Sequence, residues 1–216
     1  MINKIVGIPT IAAMLALSLT ACSSSDTPKT ETENTQQQST QQTQTPSQMM
    51  PQNPHAGAAV TTVAGLDWTV PDGWAAAGEK PMRVATYLID PADPKAECVV
   101  YYFGAGQGGA VDANISRWIN QVKQPDGSSS EAKAKRGTVA SECCEVTTVE
   151  VDGTYLFSAG PMMQTQEERP DYVLVGGIAP GPQGNVFFKM TGPKANAEKS
   201  MAQFMELLKS IKKSTA

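Results

Sequence analysis

The chain has 216 residues, of which 17 are basic and 21 acidic, for a net charge of −4. The basic side chains are dispersed apart from short clusters at 133–136 and 209–213, which argues against nucleic acid as a partner. The single histidine, His55, lies outside the segment that we predict to fold, which excludes a Ser-His-Asp triad or a histidine-rich metal site in that segment.

Residues 1–19 have the layout of a secretory signal. Lys4 supplies the positive charge of the n-region. A mostly apolar run of about 15 residues without an acid follows it as the h-region. A helix needs ~20 apolar residues to cross a bilayer, and polar sequence follows this run at once. The pattern therefore predicts export with a cleaved signal, residues 1–21, and not a permanent transmembrane anchor.

Residues 19–22, Leu-Thr-Ala-Cys, resemble the bacterial lipobox. The resemblance implies cleavage between Ala21 and Cys22, a diacylglycerol thioether on the Cys22 sulfur and a fatty amide on its new amino group. Such chains would anchor the protein in a lipid bilayer, because each buried CH₂ contributes ~0.8 kcal/mol. Ser23 in place of Asp implies sorting to the outer membrane, on its periplasmic face or at the surface. Cleavage as an ordinary secretory signal is the alternative.

Residues 22–60 form a predicted disordered tether that begins at the lipidated cysteine. The segment is rich in Ser, Thr, Gln, Asn and Pro and has almost no large apolar residue before Met49. It cannot bury enough apolar surface to offset the entropy of ordering. As a random coil it would extend ~30–35 Å.

Residues 61–216 are predicted to form one globular domain, and two of its segments have helical spacing. In 112–124, Ile115, Trp118 and Ile119 fall on one face behind a predicted cap at Asp112. In 194–214, the apolar residues form a single stripe and lysines occupy the last turns.

The other apolar segments are predicted strands separated by Gly, Pro and Asp. They are 66–70, 82–89, 97–103, 138–151, 154–159, 172–179 and 185–190. Helices do not alternate with strands, which argues against a parallel sheet. The sequence therefore predicts an α+β fold, a mainly antiparallel sheet packed with about two helices.

An ordered set of motifs over residues 65–211 resembles a group of uncharacterised bacterial lipoproteins with a PsbP-like α/β/α domain. The motifs are W-x-V-P-x-G-W from 68, G-x-G-G-x-V-x-A-N-I-x-R-W from 106, D-G-T-Y from 152, D-Y-x-L-x-G-G-I from 171 and F-F-K-M-T-G-P from 187. The resemblance implies a sandwich of sheet and helices with a binding or assembly role. It supplies no catalytic residues.

Residues 104–109, Gly-Ala-Gly-Gln-Gly-Gly, follow an apolar run and precede a predicted helix. They match the G-x-G-x-x-G pattern of a dinucleotide-binding turn. The ribose-binding acid would fall near Glu131 in a loop-like stretch, and Asp112 would place a carboxylate where pyrophosphate should lie. We therefore expect no nucleotide, and interpret the glycines as a tight strand-to-helix connection. A contact with another ligand or a partner through exposed backbone remains open.

Three cysteines remain besides Cys22. An oxidising compartment allows one disulfide from Cys98 to either Cys143 or Cys144. Buried unpaired cysteines, a link between the adjacent pair and an intermolecular link are the alternatives. With 143 and 144 in a predicted strand, only one of the two could face Cys98.

No pattern of catalytic residues stands out in the predicted domain. The paired acids Glu167 and Glu168, and Asp90 with Asp93, fall in loop-like stretches. We therefore predict no enzyme activity, no cofactor and no metal. The expected function is a lipid-anchored module that binds or assembles an envelope protein or component, and the alternative is a small-ligand carrier or sensor with a pocket between sheet and helix.

Overall fold

The computed structural model describes residues 60–78, 80–158 and 166–215. The predicted signal, the lipidation site at Cys22, and the tether up to residue 59 lie outside these residues. In the described ranges the elements are β1 (Val60–Val63), β2 (Leu66–Thr69), β3 (Ala75–Ala76), β4 (Ala85–Leu88), β5 (Glu97–Tyr101), α1 (Val111–Ile119), β6 (Val122–Lys123), α2 (Ser130–Lys133), β7 (Lys135–Ala140), β8 (Glu145–Phe157), β9 (Glu167–Gly181), β10 (Gly184–Pro193), α3 (Lys194–Lys209) and β11 (Lys212–Lys213).

One large sheet organises the fold. Its strand order is β3-β4-β5-β10-β9-β8-β6, and β7 pairs with the first half of β8. Every pair is antiparallel, and β1, β2 and β11 form a separate small sheet with the strand order β1-β2-β11. The predicted α+β class with a mainly antiparallel sheet is confirmed.

The two long helices cover opposite faces of this sheet. Consecutive residues of a strand face opposite sides, and β9 carries Gly176 followed by Gly177. A Cβ on Gly176 would meet the ring of Trp118 from α1, whereas a Cβ on Gly177 would meet the side chain of Leu208 from α3. The missing side chains thus let both helices lie close to the central strand, which gives helix, sheet and helix layers.

Each interface between a helix and the large sheet has its own apolar core. The α3 side includes Phe204, Leu207 and Leu208 with the even-numbered side chains of β10, such as Phe188. The α1 side includes Ile115, Trp118 and Ile119 with Phe187 of β10. The helical faces predicted from spacing are therefore the faces that are buried.

The ends of both predicted helices differ from expectation. Helix α1 ends at Ile119, because Val122 and Lys123 pair instead with Tyr155 and Thr154 of β8. Helix α3 ends at Lys209, and the residues that follow it pair with β2 as β11. In both cases strand pairing replaces the last predicted turns.

Helix α1 also begins differently, and a short helix was missed. The residue that caps α1 is Ala110, and Asp112 lies inside the first turn, so the predicted cap at Asp112 is wrong. The four-residue helix α2 has no buried residue, and an apolar pattern could not have indicated it.

Two strand predictions also need correction. The predicted strand 138–151 is interrupted at residues 141–144, where the chain turns between β7 and β8. Asp152 and Gly153, which separate the predicted strands 138–151 and 154–159, lie inside the continuous strand β8, where the register shifts between Gly153 and Tyr155. A glycine in a strand commonly marks such a bulge.

Across the described ranges, no helix is both long and apolar enough to span a membrane.

Candidate functional site

The glycine-rich segment connects β5 to α1. Both neighbours of β5, which are β4 and β10, run antiparallel to it, unlike the parallel strands of a dinucleotide-binding unit. Gly108 has φ +90°, and a Cβ there would lie 2.9 Å from the ring of Phe187, so only glycine fits. The buried Asn114 holds the turn, because its Nδ2 donates to the carbonyl oxygens of Gly108 at 2.7 Å and Ala110 at 2.8 Å.

This connection places α1 over the sheet so that a small cavity remains beneath it. The cavity has a volume of about 160 Å³. Engineered apolar cavities of roughly 150 Å³ hold a benzene molecule. The lining residues are Tyr101, Phe103, Arg117, Trp118, Gln121, Phe187 and Lys189.

Four of the seven residues that line the cavity are aromatic. Phe103 stacks on Tyr101 with 6.1 Å between ring centroids, and its edge meets Phe187 at 5.5 Å. Trp118 meets Phe187 from the helix side at 6.4 Å. Phe103 is 39% exposed, and its ring therefore reaches solvent at the mouth. The walls suit a flat, partly apolar molecule.

The floor of the cavity carries a buried cation, Lys189. Strand β10 alternates faces, and Lys189 therefore lies on the same side as Phe187, under α1, with only 8% of its surface exposed. Its Nζ donates to Oε1 of Gln121 at 2.5 Å and to the hydroxyl of Tyr155 at 3.0 Å. The ammonium also lies 5.1 Å from the centre of the Tyr155 ring.

Burial controls the protonation of this lysine. The pKa of Lys189 is lowered to about 7, mainly by desolvation, with Glu97 opposing the shift and Arg83 and Arg117 adding to it. Desolvation also raises the pKa of Tyr155, which keeps its hydroxyl protonated at neutral pH. A lysine so perturbed inside a cleft is a candidate functional group.

A second cation, Arg117, lies at the edge of the same cavity. Its Nη2 donates to Oδ1 of Asn114. Among the residues that the structure describes, neither Arg117 nor Lys189 forms an ion pair. The nearby carboxylate of Glu97 is held instead by Arg83 at 3.0 Å and by Lys80 at 3.4 Å. The cavity thus joins aromatic walls to two basic side chains that form no ion pair within the described ranges.

The cysteines are placed differently from the predicted bridge. Cys98 is a free, buried thiol in β5, and burial raises its pKa. Strands β10 and β9 separate β5 from β8, which puts the strands three spacings, or roughly 14 Å, apart. Bridged cysteines need Cα atoms within about 7 Å. The structure instead joins Cys143 to Cys144 in the turn before β8, so the predicted disulfide from Cys98 is wrong.

The other acids that the sequence singled out have structural contacts. Asp90 and Asp93 accept hydrogen bonds from nearby backbone N–H groups, and Nδ2 of Asn196 donates to both carboxylates. Glu167 pairs with Arg169, and Glu168 pairs with Lys123. Within the described ranges no group of three or more His, Cys, Asp or Glu residues could hold a metal ion.

The sequence did not indicate Lys189 or Arg117 as site residues. One signal was present, because Lys189 interrupts the otherwise apolar run Phe-Phe-Lys-Met in a predicted buried strand. A charged residue in such a position either has a partner or serves a site. The sequence could not show which face of the strand a helix covers.

Comparisons with known proteins leave the family open. No family model matches the chain, and no curated protein matches it. Among solved structures, the chain is similar to the solution structure of cyanobacterial PsbP (CyanoP) from Synechocystis sp. PCC 6803, with a TM-score of 0.46 and 10% sequence identity. The match covers 74% of this chain and 94% of that one. Membership in a lipoprotein family stays a prediction.

Proposed function

We propose that this chain is an exported, lipid-anchored binding protein, and not an enzyme, whose ligand is a small organic carboxylate held in the cavity between α1 and the sheet. The observation that carries the proposal is the pair of cations, Lys189 and Arg117, without a carboxylate partner among the described residues of an aromatic-lined cavity. A carboxylate would supply the missing charge, and its flat body would contact the rings.

The energetics favour an anion over a neutral ligand. A buried ammonium is costly unless it is paired, and Lys189 meets that cost by losing its proton near neutral pH. An anion beside Nζ would raise the pKa of Lys189 again and hold the proton on it. Binding would therefore couple to proton uptake. The exposed guanidinium of Arg117 would attract the anion at the mouth, where water screens the interaction and its contribution is smaller.

The affinity for a small carboxylate is expected to fall as pH rises above about 7. The reason is that the folded protein loses the Lys189 proton there, and restoring it costs up to about tenfold in affinity per pH unit. Benzoate titrated into the full chain, followed by tryptophan fluorescence or calorimetry, measures this. A Lys123→Met variant, which changes an exposed lysine, should keep the same pH profile. Affinity that is flat between pH 6 and 9 (roughly three units) would contradict the role of Lys189.

The membrane anchor is tested at Cys22. A Cys22→Ser variant is expected to move from the membrane to the soluble fraction and to lose palmitate labelling, because the acyl chains that hold the protein in the bilayer need the cysteine sulfur and the processing that it permits. Ser23→Ala is the matched control and should remain membrane-bound. Unchanged fractionation and labelling of Cys22→Ser would show that the lipoprotein interpretation is wrong.

A second candidate function is the binding of an envelope protein. It is favoured by three large apolar residues that are exposed, Met82 at 70%, Val84 at 36% and Phe103 at 39%. Val84 N–H donates to the Val100 carbonyl at 2.8 Å, which places the segment of Met82 and Val84 beside β5. A photo-crosslinker at Met82 in the native cell tests this surface. One dominant envelope partner would support it, and crosslinks only to the chain itself would count against it.

A further inference from the structure

We infer that Lys189 forms a reversible Schiff base with small 2-oxo acids, and that the cavity therefore captures carbonyl compounds covalently. This inference rests on the proposed function, since the 2-oxo acid occupies the same cavity, with its carboxylate on Arg117 and its carbonyl, not its carboxylate, toward Lys189. The proposed function requires only that a carboxylate binds. The covalent step adds a defined ligand class and a residue that reacts with it.

Lys189 lines the cavity, and two neighbours hold its amine. Nζ of Lys189 has two recorded acceptors, the Gln121 side chain at 2.5 Å and the Tyr155 hydroxyl at 3.0 Å. No acceptor for its third position is recorded among the residues that the structure describes, and Lys189 lines the cavity. Gln121 and Tyr155 therefore fix the direction of the amine, and a carbonyl carbon that enters between the aromatic walls can approach it.

The arrangement also suits the size and charge of a short 2-oxo acid. A cavity of about 160 Å³ admits a molecule no larger than a small aromatic ring. Arg117 at the mouth would hold the carboxylate, and a guanidinium matches a carboxylate with two parallel hydrogen bonds. The carbonyl then points inward, toward Lys189.

The amine is reactive because a large fraction of it is neutral. With a pKa of about 7, roughly half of Lys189 is unprotonated near neutral pH, against roughly 0.04% for a lysine of ordinary pKa. Burial is the main cause, and the charged groups that act on it are Glu97 from β5, Arg83 beside β4 and Arg117 from α1. Desolvated lysines are the ones that act as nucleophiles toward carbonyl compounds.

The step balances without an oxidant or a further reactant. The nitrogen lone pair attacks the carbonyl carbon, a C–N bond forms, and the C=O π electrons move to oxygen. A proton passes from nitrogen to that oxygen, and the Tyr155 hydroxyl, within hydrogen-bond distance of Nζ, can relay it. Loss of one water gives the C=N bond. Hydration of the same bond reverses the reaction and releases the ligand.

Reductive trapping tests the inference on the full chain. Pyruvate with sodium cyanoborohydride near neutral pH should label Lys189 at least tenfold faster than any other lysine, as located by peptide mapping. Lys189→Arg should abolish this label, whereas Lys123→Arg should leave it unchanged. Benzoate should protect Lys189, and Arg117→Gln should reduce the preference for pyruvate over acetone several-fold. Labelling of Lys189 should increase with pH and level off above about pH 7.

The outcomes separate this inference from the proposed function. Benzoate binding without a trapped adduct at Lys189 would overturn the covalent step and leave the carboxylate site intact. Labelling spread evenly over exposed lysines, with no benzoate binding, would overturn both. Slower labelling in Tyr155→Phe, with benzoate affinity retained, would support the proton relay.

Discussion

Replacing Gly176 with alanine is expected to destabilise the domain by about 3 kcal/mol, the upper end of typical overpacking costs. A Cβ at this position would overlap the Trp118 ring and lie 3.2 Å from Cγ1 of Val149, and Trp118 is only 5% exposed. The indole cannot yield by rotating a flexible end, as Leu208 can next to Gly177. Helix α1 must therefore lift from the sheet, which would also open the cavity.

Urea unfolding of Gly176→Ala against Gly137→Ala measures this effect. Gly137 also lies in a strand, but a Cβ there meets only the Thr148 hydroxyl, at 3.4 Å, on the exposed strand β7. The control should change the free energy of unfolding by less than about 0.5 kcal/mol, as ordinary surface substitutions do. If the two variants were equally stable, the close contact between α1 and the sheet would be wrong.

Replacing Lys189 with methionine is expected to weaken binding and to stabilise the fold at the same time. Loss of the buried cation should lower benzoate affinity at least ~100-fold, in the range measured for truncated buried charge pairs. Near pH 6 the same change should raise the free energy of unfolding by about 2 kcal/mol, because an apolar chain of similar size replaces a buried ammonium. A substitution that weakens binding and also stabilises the fold is typical of a residue in a functional site.

The pH dependence of stability gives an independent check on Lys189. The folded state releases the Lys189 proton at about pH 7, whereas the unfolded chain keeps it up to its ordinary pKa. The unfolded state thus binds more protons above pH 7, and stability contributed by this group rises with pH, by about 2 kcal/mol from pH 7 to 9. Lys189→Met should lack this rise, and Lys123→Met should retain it. An equal rise in Lys189→Met would assign the effect to another group.

The faces of the helices could be predicted from the sequence, but their ends could not. Ile115, Trp118 and Ile119 repeat at helical spacing, and burial of one face follows directly from that spacing. Val122 continues the same spacing, yet it pairs with Tyr155, 33 positions further along the chain. The spacing of nearby residues cannot indicate so distant a partner. The pairing of Val122 with β8 therefore decides where α1 ends.

The candidate site was missed for the same reason. Lys189 binds Gln121 across 68 positions of sequence and Tyr155 across 34. Which side of β10 lies under α1 depends on the register between β10 and its neighbours, which no short motif encodes. The glycine-rich segment was interpreted correctly as a strand-to-helix connection, because that prediction depended only on adjacent elements.

A structure of the full chain crystallised with saturating benzoate would show whether the cavity binds a carboxylate. We expect benzoate in the cavity under α1, with its ring between Phe103 and Trp118 and a carboxylate oxygen within about 3 Å of Nζ of Lys189. An empty cavity, or benzoate bound only at another surface, would contradict it.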